Sequence, residues 1–259
     1  MNGLSLHYYT VPHDWGKKGK ALEFTEEEYY ITVEKAYKIE ELVRRHGDIM
    51  NRYDPEKRVG MIVDEWGTWY DVEEGTNPGF LYQQNTMRDA VVAALTLNVF
   101  NKYSDRVKMA NIAQTVNVLQ AVALTDGEDM LLTPTYYIFK MYKDHQENML
   151  LGSYITTPDI SEKETLPKLI ESASIKEDGT IVATIVNTSL DEASEIKCQI
   201  ADFKVKGIDA EILTGAMDAH NSFENKNAVK TKVFDGYKVT ADGFETTVPP
   251  CSIVKFVIK

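Results

Sequence analysis

Two adjacent carboxylates, Asp64 and Glu65, close the short apolar run at residues 59–66 (VGMIVDEW), and Trp66, Trp69 and Tyr70 follow within five residues of Glu65. A carboxylate can attack carbon or move a proton. An aromatic face beside it suits a sugar, whose C–H face stacks on a ring while its hydroxyls need polar partners. The same pair serves equally as a strand-end cap or a salt-bridge group. His7 and Tyr9 alternate within residues 3–9 (GLSLHYY), so on a strand they share a face and could meet the same pocket as Glu65. Their plainer reading is a histidine bonded to backbone and a core tyrosine. Gln114 and Asn117 interrupt an otherwise apolar segment, as satisfied core amides or as ligand contacts. His13, Asp14 and Trp15 form a polar and aromatic cluster that either lines a cleft or is a plain loop.

The elements that must position these groups follow from periodicity. Residues 3–9 read as a buried strand end, and a Pro/Gly/Lys loop follows at 11–20. Thr25 with Glu28 forms a capping box, and Tyr30, Val33, Tyr37, Ile39, Leu42 and Val43 recur at helical spacing. This predicts an amphipathic helix of about twenty residues ending near Gly47. Residues 59–66 read as a strand buried on both faces, polar only at its C-terminal end, where (β/α)-barrel enzymes carry their catalytic groups. Residues 86–103 predict a helix buried nearly all round. A second helix or its continuation is expected at 107–114, a buried strand at 117–124 and a short apolar helix at 135–142. Strands alternating with helices over short connections predict parallel βα units.

Beyond residue 144 the pattern changes to period two, at 181–186, 196–200, 209–213, 229–233, 237–239 and 253–258, with turns at 177–179 (EDG) and 235–236 (DG). That predicts an antiparallel β-sandwich. The fold class expected is therefore α/β followed by all-β. The boundary falls between residues 142 and 166, giving domains at 1–143 and 144–259.

Composition narrows the function classes. With 40 acidic against 28 basic residues the 259-residue chain carries a net charge of −12, which argues against nucleic acid as a partner. A hydrophobic share of 43% and a charged share of 26% describe an ordinary globular protein long enough for two domains. No apolar stretch reaches the ~18 residues of a membrane span, and no basic segment followed by an apolar run marks a secretory signal, which points to the cytoplasm. Cys198 and Cys251 read as small buried hydrophobes. His46, His145 and His220 lie apart on segments that read as surface, so neither metal nor organic cofactor is expected. The glycine-rich nucleotide motifs and the GxSxG elbow are absent.

The segments SLHYYT, VDEWGTWY, SDRVKMANIAQTVNVLQA and AHNSFENKNAV, in this order, resemble glycoside hydrolase family 51, the α-L-arabinofuranosidases. The resemblance implies a (β/α)8 barrel followed by a β-sandwich, and retaining hydrolysis of terminal arabinofuranosyl residues from arabinan or arabinoxylan. It makes Glu65 the nucleophile and places His7 and Tyr9 against that nucleophile and the bound sugar, with Trp69 and Gln114 near the arabinose. The position after the first tryptophan, commonly Asn in the family, is Gly67 here.

The family's acid/base glutamate lies in an Asn-Glu motif on the fourth barrel strand, ahead of the HYY motif, and this chain has no such motif. Residues 4–9, 59–65 and 117–124 then count as barrel strands six, seven and eight. The chain reads as the C-terminal half of such an enzyme, inactive alone. Its partners would be the missing N-terminal half of the barrel and an arabinose-containing oligosaccharide or polysaccharide. Assembly as a homo-oligomer, frequent in the family, stays open. Two other readings also remain: a non-catalytic carbohydrate-binding or interaction module whose working part is the sandwich, and a related endo-acting glucanase or xylanase.

Overall fold

The computed structural model describes residues 1–161 and 164–259; residues 162 and 163, inside the interval expected to hold the domain boundary, lie outside the described residues. In chain order the first part contains β1 (Gly3–Thr10), α1 (Glu26–Tyr37), α2 (Ile39–Tyr53), β2 (Gly60–Thr68), α3 (Met87–Lys102), β3 (Val107–Ile112), the hairpin β4 (Ala123–Asp126) and β5 (Asp129–Leu132), and α4 (Pro134–Tyr142). β1, β2 and β3 form a parallel sheet in that order. Helices connect them, as parallel pairing requires.

Local chemistry sets the helix starts. Thr25 caps α1 through Glu28, whose carboxylate takes the Thr25 N–H at 2.9 Å. Thr86 and Asp89 repeat the device at α3, with the Thr86 N–H 2.7 Å from the Asp89 carboxylate. α3 is buried along nearly its whole surface because it lies between two sheets.

The second part is all-β: β6 (Met149–Leu151), β7 (Asp159–Ser161), β8 (Glu164–Pro167), β9 (Leu169–Ile175), β10 (Ile181–Asn187), β11 (Ser194–Gln199), β12 (Ile208–Thr214), β13 (Lys232–Val233), β14 (Tyr237–Val239), β15 (Gly243–Val248) and β16 (Ser252–Ile258). A six-stranded antiparallel sheet runs β13-β12-β16-β10-β9-β6 and a three-stranded one runs β11-β15-β14. Successive residues of the larger sheet enter different cores. Leu169, Ile185, Ile212 and Val254 pack toward the smaller sheet, while Ile170, Val186, Leu213 and Ile253 join the core built around α1 and α3. The same sheet therefore completes the sandwich and backs the helices. Tyr29 of α1 adds a polar tie by donating its hydroxyl to the Thr188 carbonyl at 3.0 Å.

Several expectations are corrected. Residues 107–114 form strand β3 and its exit, since pairing with β2 (Met61 opposite Val107, Trp66 opposite Ile112) overrides the local helical reading. Residues 117–124 are mostly loop, because Asn117 and Leu119 adopt left-handed backbone (φ 59° and 50°) that a strand cannot contain. The third parallel strand is thus Val107–Ile112. The helix expected to stop near Gly47 is two helices abutting at Lys38, the second reaching Tyr53. The start of β1 is largely exposed rather than buried, because among the described residues no strand covers its outer edge. Between residues 229 and 233 only Lys232–Val233 is strand. β5, β6, β7, β8, β9 and β15 lie outside the strands expected from the sequence.

Candidate active site

β1 and β2 lie side by side, with His7 opposite Glu65 and Tyr9 opposite Gly67. Just before this point the register slips: Ser5 faces Ile62 but His7 faces Glu65, so Leu6 alone spans Val63 and Asp64. In regular alternation Asp64 and Glu65 would point to opposite faces. With the extra residue both approach one imidazole. His7 Nε2 lies 3.1 Å from Asp64 Oδ1, and His7 Nδ1 lies 3.4 Å from Glu65 Oε2.

Tyr9 donates its hydroxyl to the same Glu65 Oε2 at 2.8 Å. Burial, and then the bond to Glu65, push the tyrosine pKa well up, so the hydroxyl remains a donor. Ser5 donates to Asp64 Oδ1 at 2.7 Å; that hydrogen bond, with His7 nearby, holds the Asp64 carboxyl below the usual carboxylate range. Glu65 Oε1 has no hydrogen bond among the described residues, and the Glu65 side chain is 48% exposed. One oxygen is held by Tyr9, and the other has no hydrogen-bond partner among the described residues.

Of the aromatic residues after Glu65, only Trp69 faces this site. Its ring meets the Tyr9 ring edge-on at 4.9 Å and the Trp15 ring at 5.5 Å. Trp66 is buried against Phe100 and Phe139. Tyr70 is buried with its hydroxyl 3.0 Å from Asp89 and the Arg88 guanidinium over its ring face. Gln114 stands exposed just beyond β3, at the same end of the sheet, and bonds neither carboxylate. Asn117 is structural: its amide bonds the backbone N–H and hydroxyl of Thr125.

A polar layer that the sequence reading missed supports the exit of β2. Gln120, fully buried, accepts the Thr68 N–H at 2.9 Å and donates to the Asp89 carbonyl at 2.8 Å and the Thr135 hydroxyl at 3.1 Å. Asp89 accepts from the Thr68 hydroxyl at 2.6 Å, and Gln83 accepts the Tyr70 N–H at 2.9 Å. Each closes a backbone or hydroxyl group that burial would otherwise leave unpaired. An amide inside an apolar run was the available signal, and it pointed to Gln114 and Asn117 instead. Gly67 explains its own identity: at φ +138° an added Cβ would stand 3.1 Å from the Gln120 side-chain amide oxygen, Oε1.

The other histidines divide differently from expectation. His13 bonds Glu28 at 2.8 Å. His145 is buried, not on the surface, between the hydroxyls of Ser174 at 2.8 Å and Thr184 at 3.1 Å, and burial pushes its pKa down to about 4. Cys251 is buried, while Cys198 is only half-buried. Among the described residues, no three or more His, Cys, Asp and Glu side chains gather to hold a metal.

The chain is similar to several known proteins. A family model described as the α-L-arabinofuranosidase C-terminal domain matches residues 64–252. An intracellular exo-α-L-arabinofuranosidase of Bacteroides ovatus is 47% identical over 257 residues, covering 98% of this chain and 50% of that protein. The crystal structure of the GH51 arabinofuranosidase from Xanthomonas axonopodis pv. citri superposes with a TM-score of 0.97 at 38% identity, over 100% of this chain and 53% of that one. An arabinose complex of the Thermotoga maritima α-L-arabinofuranosidase has the same fold, with a TM-score of 0.81 at 24% identity, over 100% of this chain and 53% of that one. The chain spans about half the length of these relatives.

Proposed function

The chain belongs to glycoside hydrolase family 51, the α-L-arabinofuranosidases, as their C-terminal portion, and on that premise we propose that Glu65 is the nucleophile of a retaining α-L-arabinofuranosidase. The observation that carries the proposal is the Glu65 carboxylate at the C-terminal end of a parallel strand, its Oε2 held by Tyr9 at 2.8 Å while Oε1 is unengaged. Oε1 attacks the anomeric carbon of a terminal arabinofuranosyl residue as the bond to the leaving oxygen breaks, forming a glycosyl-enzyme that water then hydrolyses. The Tyr9 hydroxyl and the His7 imidazole fix the direction of attack. Trp69 offers its ring to the sugar's C–H face, and Gln114 reaches the sugar from the neighbouring strand's end.

A retaining enzyme needs a second carboxyl about 5 to 5.5 Å away to protonate the leaving oxygen and later to deprotonate water. Asp64 is the nearest acidic neighbour, but Ser5 and His7 keep it ionised, so it is a poor proton donor. The acid/base therefore comes from outside these residues. Three parallel strands do not close a barrel, and further strands would cover the open edges of β1 and β3, where Leu4 and Met109 are exposed. Residues 1–143 are then the last units of the catalytic barrel, and residues 144–259 its sandwich partner. Exo action and a cytoplasmic location are supported by the Bacteroides ovatus relative, an intracellular exo-α-L-arabinofuranosidase; the substrates proposed are arabinan or arabinoxylan side chains. Among the described residues, no helix is long and apolar enough to cross a membrane.

The test is hydrolysis of p-nitrophenyl α-L-arabinofuranoside by the natural gene product containing these residues, by its Glu65→Gln variant and by the 259-residue chain alone. The natural product should turn over with retention, the variant should lose nearly all turnover, and the isolated chain should be inactive. Retained activity in the variant rejects Glu65. Activity of the isolated chain at a normal enzymatic rate rejects an acid/base outside it.

A further inference from the structure

We propose that Asn221, on the connection between β12 and β13 of the sandwich, is a positioning residue for the loop at 113–122 that carries Gln114; this deepens the arabinofuranosidase reading and rests on it. The segment at 219–229 (AHNSFENKNAV) is the one of the four resembling segments that supplies no residue to the site. Its Asn221 is nonetheless fully buried, and its side chain bonds only backbone groups. Oδ1 accepts the Val229 N–H at 2.7 Å and Nδ2 donates to the Val229 carbonyl at 2.9 Å, which closes the sandwich connection on itself. Nδ2 also donates to the Leu132 carbonyl at 2.7 Å, which ties the closed connection to the end of β5. With both amide hydrogens and the amide oxygen engaged, the side chain is a fixed joint between the two parts of the chain.

The joint bears directly on the loop. Thr133 follows Leu132 and donates its hydroxyl to the Ala121 carbonyl at 2.7 Å, while its N–H meets the Val122 carbonyl at 3.1 Å. Those carbonyls end the loop, and its beginning is fixed by the Ala113 N–H on the Trp66 carbonyl at 2.9 Å. Phe223, from the same sandwich connection, packs with Tyr82 against Ala121, Leu124 and Leu131. The Asn221 carbonyl accepts Gln84 Nε2 at 3.2 Å, so the segment after β2 is held as well. Just upstream, the carbonyls of Met217 and Ala219 accept the N–H groups of Arg88 and Met87 at 3.0 and 2.9 Å, donors that the first turn of α3 cannot pair within itself. The sandwich therefore meets the segments that follow both β2 and β3. Gln114 is exposed on its loop, so its placement depends on how firmly the loop ends are held, and a small displacement of a group that contacts the sugar weakens binding.

The test uses the natural gene product, its Asn221→Ala and Thr133→Val variants and the double variant, with p-nitrophenyl α-L-arabinofuranoside as substrate and hydrogen exchange read by mass spectrometry. Asn221→Ala should raise KM about tenfold with a smaller change in kcat, since positioning acts on binding. Amides at 113–122 should exchange about tenfold faster in the folded variant. A merely structural role lowers the amount of active protein, so a fall in kcat at unchanged KM and unchanged loop exchange overturns the proposal. Thr133→Val breaks the same path from the other side, and the double variant should lose no more than the worse single one; additive losses also overturn the proposal. If Asn221→Ala does not fold, Thr133→Val carries the test, and an unchanged KM there overturns it. If the unaltered protein does not turn over the arabinofuranoside, the arabinofuranosidase reading fails and takes this inference with it. Normal turnover by the unaltered protein with indifferent variants removes the inference alone.

Discussion

Tyr9 Oη and Glu65 Oε2 lie 2.8 Å apart across the β1–β2 ladder, and the His7 imidazole stands 3.4 Å from the same oxygen. Two groups from one strand thus hold one oxygen of a carboxylate on the next. Replacing Tyr9 with Phe keeps the ring against Trp69 and removes only the donor. In the natural gene product kcat on an aryl arabinofuranoside should fall about 100-fold, a usual cost of losing one aligned hydrogen-bond donor, with the melting temperature nearly unchanged. An unaltered kcat would remove the hydroxyl from the mechanism.

Asp64 meets Nε2 of the same His7 imidazole whose Nδ1 approaches Glu65. The Asp64→Asn change keeps the shape and removes the charge that faces Nε2 at 3.1 Å. The imidazole then loses a fixed orientation, and kcat should fall about 10- to 100-fold with little change in KM, together with an altered pH profile. A rise in KM alone, with kcat intact, would show that Asp64 serves the sugar instead.

Gly67 tests the layer under the site. An alanine there must adopt φ +138° and press a methyl group onto Gln120, which three buried hydrogen bonds hold in place. Gly67→Ala should cost about 2 kcal/mol, read as a lower urea midpoint at unchanged slope. A neutral effect would mean that this backbone relaxes freely.

His145 sets an acid-side limit on stability. Burial lowers its pKa from 6.5 to about 4, with Lys255 and Lys176 acting in the same direction and Asp144 opposing. The folded state therefore binds fewer protons than the unfolded one between those values, so stability present above pH 6.5 is lost as pH falls toward 4. Between pH 7 and pH 5 the loss from this group should be about 2 kcal/mol, a range in which the carboxylates stay largely ionised. Urea unfolding at both values should show it, and His145→Gln should flatten the difference. An equal loss in the variant would place the effect elsewhere.

The chain's own residues determined much of this. Period-two stretches marked most long strands of the sandwich, the capping box at Thr25 marked one helix start, and the apolar run before Asp64 marked the central parallel strand. Alternation alone put His7 and Tyr9 on one face, and the structure brings both to Glu65. These features rest on local spacing, which a single sequence displays.

What tertiary structure decided rests on which segments meet. Residues 107–112 are strand because β2 offers an edge, and residues 117–122 are loop because their backbone turns left-handed at Asn117 and Leu119. The slip between Ser5 and His7 turns adjacent carboxylates toward a single imidazole, which strict alternation forbids. Trp66 and Tyr70 belong to the core and Trp15 to the surface, although all three lie near Glu65 or Tyr9 in the chain. Burial and register are properties of pairs of segments, and no one segment carries them.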